Sequence, residues 1–132
     1  YRAHQRRLVA FALDGDVTLP DQPPPLHPQP LQVADFVVDE AKADHGAELY
    51  TAVCMMCHGA GAGAAGYAPD LRASPLMLSL EALRDIVIGG SRRPRGMPNF
   101  PEYGDEELVA IQHYVRRQAN TPAPCKACQA AR

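Results

Sequence analysis

Apolar residues recur at helical spacing in three stretches of the chain, each with its own start and stop signals. The first covers about Asp44 to Cys54, with Leu49, Tyr50 and Val53 on one side and Asp44 placed to cap it. The second begins after Ser79, a good N-cap, and repeats Leu80, Leu83 and Val87 before Gly89-Gly90 ends it. The third runs from about Gly104 to Gln118, with Leu108, Ile111 and Val115 on its apolar face. Asp105, Glu106 and Glu107 occupy its first turn and Arg116 and Arg117 its last, charges that suit the helix dipole at both ends. Pro69, Pro75, Pro94, Pro98 and Pro101 break the segments between. The pattern predicts a small, all-α, loop-rich globule.

Ahead of the globule, Arg6 to Leu13 reads RRLVAFAL, a run of strand length followed by an Asp14-Gly15 turn signal. No second strand-like segment follows, so its sheet is expected outside this chain or in a partner; the alternative is a loosely packed arm. Pro20 to Pro30 holds six prolines in eleven residues. That composition favours a polyproline II spacer of about 3.1 Å per residue, roughly 30–35 Å in all. His27 within it reads as a solvated side chain. The chain thus divides into an arm (1–19), a linker (20–38), a globule (39–120) and a tail (121–132).

Composition sharpens this. The 132 residues suit one small domain plus extensions. Aromatics are 6% with no tryptophan, and much of the 46% hydrophobic content is alanine. A core so poor in large side chains would be marginal at this size, so a non-protein group is expected to fill its centre. The net charge of −2 offers no basic footprint for nucleic acid. No apolar run is long enough for a transmembrane helix. With neither an initiator methionine nor a signal peptide at Tyr1, a mature, trimmed or excised polypeptide is expected.

Cys54-Met55-Met56-Cys57-His58 supplies the group. In C-x-x-C-H the two thiols add to the two vinyls of one haem edge and the adjacent histidine faces the iron. A zinc site lacks partners of suitable spacing, and a thioredoxin-like pair lacks the surrounding βαβ pattern. For the opposite axial position, Met97 lies in a proline-stiffened Gly96-Met97-Pro98 loop. Met55 and Met56 lie within the attachment turn, Met77 reads as core, and His45 and His113 sit on helices expected to pack together. His58/Met97 ligation fills both axial positions and raises the reduction potential, favouring one-electron transfer over oxygen chemistry.

Asp44 to Gln118 resembles a class I cytochrome c: an N-terminal helix, C-x-x-C-H, a proline-rich middle, a Gly-Met-Pro loop and a C-terminal helix. The resemblance implies that Gly46 and Tyr50 meet Ile111 and Tyr114 where the terminal helices cross. It also implies that the Pro69 carbonyl accepts the second ring proton of His58, that Leu71 belongs to the haem pocket, and that Arg72 meets a haem propionate. A solvated loop arginine is the plainer reading of Arg72.

A narrower resemblance spans the whole chain. RRLVAFALDGDVTLP, the proline-rich linker, HGAELYTAVCMMCHGAGA, PDLR and GMPNF are similar to the C-terminal end of type II quinohaemoprotein alcohol dehydrogenases. In these a β-propeller with pyrroloquinoline quinone (PQQ) and calcium precedes the cytochrome c domain, which would account for the orphan strand and spacer together. The resemblance implies that one covalent haem c takes electrons from reduced PQQ and passes them to a blue-copper protein, another cytochrome or membrane quinone. It assigns no catalytic residue to this chain. Covalent haem implies a periplasmic location.

Arg92, Arg93 and Arg95, beside Met97, are placed to steer an acidic partner, or else form a solvated loop. Cys125-Lys126-Ala127-Cys128 is followed by Gln129, so it is not a second haem motif; a short-loop disulfide or a bond to a partner is expected. Two other functions compete. A free-standing periplasmic monohaem cytochrome c would have no use for the arm and spacer, and an open-site haem enzyme or sensor is disfavoured by Met97.

Overall fold

The computed structural model describes residues 8, 10–18, 21, 28–63 and 68–121. Asp39, in extended backbone, accepts from the Lys42 N–H and caps α1, which spans Glu40–Leu49. The cap lies five residues ahead of the expected Asp44. Asp44 is already helical, and its carboxylate instead takes Nη1 of Arg117 at 2.7 Å. A π-helical turn over Tyr50–Cys54 carries the helix into α2, Met55–His58, so the whole C-x-x-C-H motif is helical. Gly59, at φ 80°, ends it.

The middle of the chain is built from short 3₁₀ turns, including Leu71–Ala73 and Pro75–Leu78. Ser79 then caps α3, Leu80–Leu83, through its side chain and the Ala82 N–H. A π-helical turn over Arg84–Ile88 extends α3 to Gly89. The last helix, α4, spans Asp105–Asn120, and Glu107 accepts from the Gly104 N–H at 2.8 Å at its start.

The expected crossing of the terminal helices is present. Gly46 of α1 sits against α4 so closely that a Cβ there would fall on the Ala110 carbonyl and within 2.9 Å of the Ile111 nitrogen. Below the crossing the Tyr50 and Tyr114 rings lie 4.9 Å apart. Tyr50, Met77, Leu83, Leu108, Ile111, Tyr114 and Val115 form the core with Ala62. Met77 is therefore core, as its spacing predicts.

One expectation changes. Arg116 is not a surface charge matching the helix dipole: it is 1% exposed, because the segment before α1 lies over it. Bonds to α4 are also made ahead of Asp39, from Gln32 Nε2 to the Ala119 carbonyl at 3.2 Å and from Arg116 to the Leu31 carbonyl at 2.6 Å. Among its described residues the N-terminal arm forms no strand; the sheet for this run is expected outside the chain. Gly15 does donate to the Ala12 carbonyl at 3.2 Å, closing the expected turn, while Leu8, Phe11, Leu13 and Val17 stay exposed. The stretch 22–27, with His27, and the Cys125/Cys128 tail lie outside the described residues.

Candidate haem site

Helical continuity through Tyr50–His58 sets the positions of Cys54, Cys57 and His58. Both cysteines are half-buried free thiols, and His58 is buried with 7% exposure. Burial, reinforced by Cys57, pushes the Cys54 thiol up to about 11, so it is protonated at neutral pH. The turn after the motif is held from below, where the buried Tyr50 hydroxyl donates to the Gly59 carbonyl at 2.7 Å.

Nδ1 of His58 lies 3.0 Å from the Pro69 carbonyl. A carbonyl can only accept, so Nδ1 carries the proton and the lone pair is left on Nε2. Burial lowers the His58 pKa, opposed by the Pro69 bond, and the ring is neutral, the form that ligates a metal. Pro69 is itself held by its neighbours. Asp70 accepts from the Arg72 backbone N–H at 3.0 Å, and takes Nε and Nη2 of the Arg72 side chain at 3.1 and 2.7 Å. Arg72 is thus tied to a buried carboxylate in a two-point contact, and is not a solvated loop arginine.

Leu71 and Cys54 pack against the same core cluster. Met97 is half-buried and stands outside that cluster. Its loop is nonetheless fixed at both ends. The Met97 N–H donates to Arg92 O at 3.3 Å, and Phe100 N–H donates to Val87 O at 2.7 Å. Asn99 adds a bond to the Ile88 carbonyl at 3.3 Å. Arg93 and Arg95 are exposed and Arg92 is partly so.

These residues fit a covalently held haem. Two thiols spaced by two residues adjoin a neutral imidazole with a free Nε2, and Val53 and Met56 leave apolar surface exposed beside them. The Tyr50 bond, the Asp70 clamp on Arg72 and the burial of Arg116 escape sequence reasoning. Of these, only the Asp-x-Arg spacing leaves a local trace.

Comparison with known proteins agrees. Residues 41–115 match the family described as "Cytochrome C oxidase, cbb3-type, subunit III". Among curated proteins, the chain is 37% identical over 122 residues to lupanine 17-hydroxylase [cytochrome c] of a Pseudomonas species, covering 87% of this chain and 16% of that protein. It is 37% identical over 118 residues to quinohemoprotein alcohol dehydrogenase ADH IIB of Pseudomonas putida, covering 85% and 16%. A solved structure of quinohemoprotein alcohol dehydrogenase ADHIIG from Pseudomonas putida superposes with a TM-score of 0.58 at 31% identity, over 81% of this chain and 15% of that one. The chain spans about a sixth of the length of these relatives. Because the family match takes in more than half of its residues, the chain belongs to this cytochrome c family, whose members carry haem c for electron transfer.

Proposed function

We propose that this chain is the electron-transfer domain of a PQQ-dependent quinohaemoprotein alcohol dehydrogenase acting in the periplasm. The observation that carries the reading is the extent of the similarity. The likeness to lupanine 17-hydroxylase covers 87% of the chain, which the 41–115 haem region alone cannot supply, so it reaches into the segments flanking that region.

Cys54 and Cys57 would hold the haem through thioethers, and His58 and Met97 would ligate the iron. When bound, the haem supplies a one-electron iron couple. The chain's residues do the rest. Pro69 fixes the His58 tautomer and ring orientation, which raises the basicity of the ligating nitrogen. Asp70 holds Arg72 beside the Pro69 turn, and the resemblance gives Arg72 a haem propionate as its further partner. Met97, on its fixed loop, would supply the other iron ligand and so leave no site for oxygen. In this role the domain would take electrons from reduced PQQ, held with calcium in a preceding dehydrogenase part, and would pass them to a blue-copper protein, another cytochrome or membrane quinone. Arg92, Arg93 and Arg95 steer acceptors that carry an acidic surface.

The test is rapid mixing of the full-length protein with a panel of alcohols while haem absorbance is followed. Haem reduction in step with substrate consumption is expected. Substrate consumed while this haem stays oxidised overturns the role. A haem-stained denaturing gel separates the free-carrier alternative, which requires a band near 14.3 kDa in place of one several times larger.

A further inference from the structure

The segment leading into α1 carries a set of bonds that a passive spacer does not need. Leu31 N–H donates to the Arg72 carbonyl at 3.0 Å. Asp39 N–H donates to Nδ1 of His113 at 3.0 Å, and the Phe36 ring lies 5.0 Å from the His113 ring. At the centre is Arg116 of α4, whose Nη2 donates to the Leu31 carbonyl at 2.6 Å and reaches the Arg72 carbonyl at 3.4 Å. The Arg72 carbonyl therefore receives both the incoming segment and α4, three residues from the Pro69 carbonyl that orients His58.

Arg116 is an expensive residue to put there. It is 1% exposed, the acceptors of its guanidinium among the described residues are carbonyls, and its Nη1 is buried without a partner among them. Burying a cation without a carboxylate costs free energy that an aliphatic side chain of the same length would not. What the guanidinium adds is direction: it joins two carbonyls from separate segments and sets one geometry between them.

We propose that Arg116 is a positioning residue that latches residues 28–38 onto α4 and the Arg72 loop, fixing the direction in which the chain leaves the haem domain. The consequence for catalysis rests on the function proposed above. If electrons arrive from a cofactor in the preceding part, the latch sets the gap they cross, and tunnelling falls steeply as that gap widens.

Hydrogen exchange on the full-length holoprotein tests the latch directly. In the wild type, the peptide containing Leu31 is expected to be protected. In Arg116→Met, which keeps the stem and removes the donors, its exchange is expected to rise by about 10-fold or more, while α1, α4 and the haem spectrum hold. Arg116→Lys, with the charge but no fork, falls between. An unprotected wild-type segment overturns the latch, and so does unchanged exchange in the variants. Should Arg116→Met fail to fold, the wild type and the Lys variant still decide. The positioning role has its own readout: reduction of the haem after alcohol mixing slows several-fold at an unchanged haem potential. A loosened segment with an unchanged internal rate overturns that role. If alcohol fails to reduce the wild-type haem, the functional reading fails, and the exchange data still judge the latch.

Discussion

His113 shows how one side chain can report on the fold. Its Nδ1 accepts the Asp39 N–H, so a proton there would break the bond at the start of α1. Burial lowers its pKa below the ordinary 6.5, with Lys42 adding to the shift and Asp39 opposing it. The native state therefore binds fewer protons than the unfolded chain, and stability rises with pH across that window. The contribution is complete above pH 6.5 and is lost as pH falls through the lowered value. Thermal melts between pH 7 and pH 5 should show this loss, and His113→Gln should remove that part of the slope. Tyr50 offers a second residue-scale test. Tyr50→Phe keeps the ring contact with Tyr114 but leaves the Gly59 carbonyl without its donor, and should cost about 1–2 kcal/mol in denaturant unfolding.

At the scale of elements, the α1–α4 crossing depends on the absence of one side chain. The atoms a Gly46 Cβ would meet are backbone atoms of Ala110 and Ile111, which cannot rotate away as a side-chain tip would. Gly46→Ala should therefore cost about 3 kcal/mol or more and reduce the yield of folded holoprotein, read by absorbance of haem per chain. The helices themselves are largely legible in sequence. Ser79 caps where expected, Gly89 marks the end of the second helix, and Leu108, Ile111 and Val115 do face the core. The first helix starts early because two aspartates five residues apart both suit a cap. Local pattern does not choose between them: Asp39 is the one in extended backbone, while Arg117 pairs with Asp44 across the helix interface.

At the scale of the molecule, the core cluster has few large side chains, and a haem of the kind the family implies would add the apolar bulk it lacks. A Cys54→Ala, Cys57→Ala chain should lack the attachment and lose most of its helical circular dichroism. Native-like helicity without haem would show that the protein residues suffice alone. The same scale explains Arg116, which sits where a solvated arginine would suit the helix end yet lies under a segment 85 residues away in sequence. The bonds made by Arg116 and His113 bring the incoming segment into the folded domain, beyond what its proline content suggests.

The sequence by itself determined the helix periodicity and the C-x-x-C-H motif, because each depends on residues within a turn or two of one another. Tertiary structure alone decided which aspartate caps α1, which arginines are buried, and how the segment before α1 is held. These outcomes are set by contacts between residues far apart in the chain, where desolvation and the partners at hand outweigh local propensity.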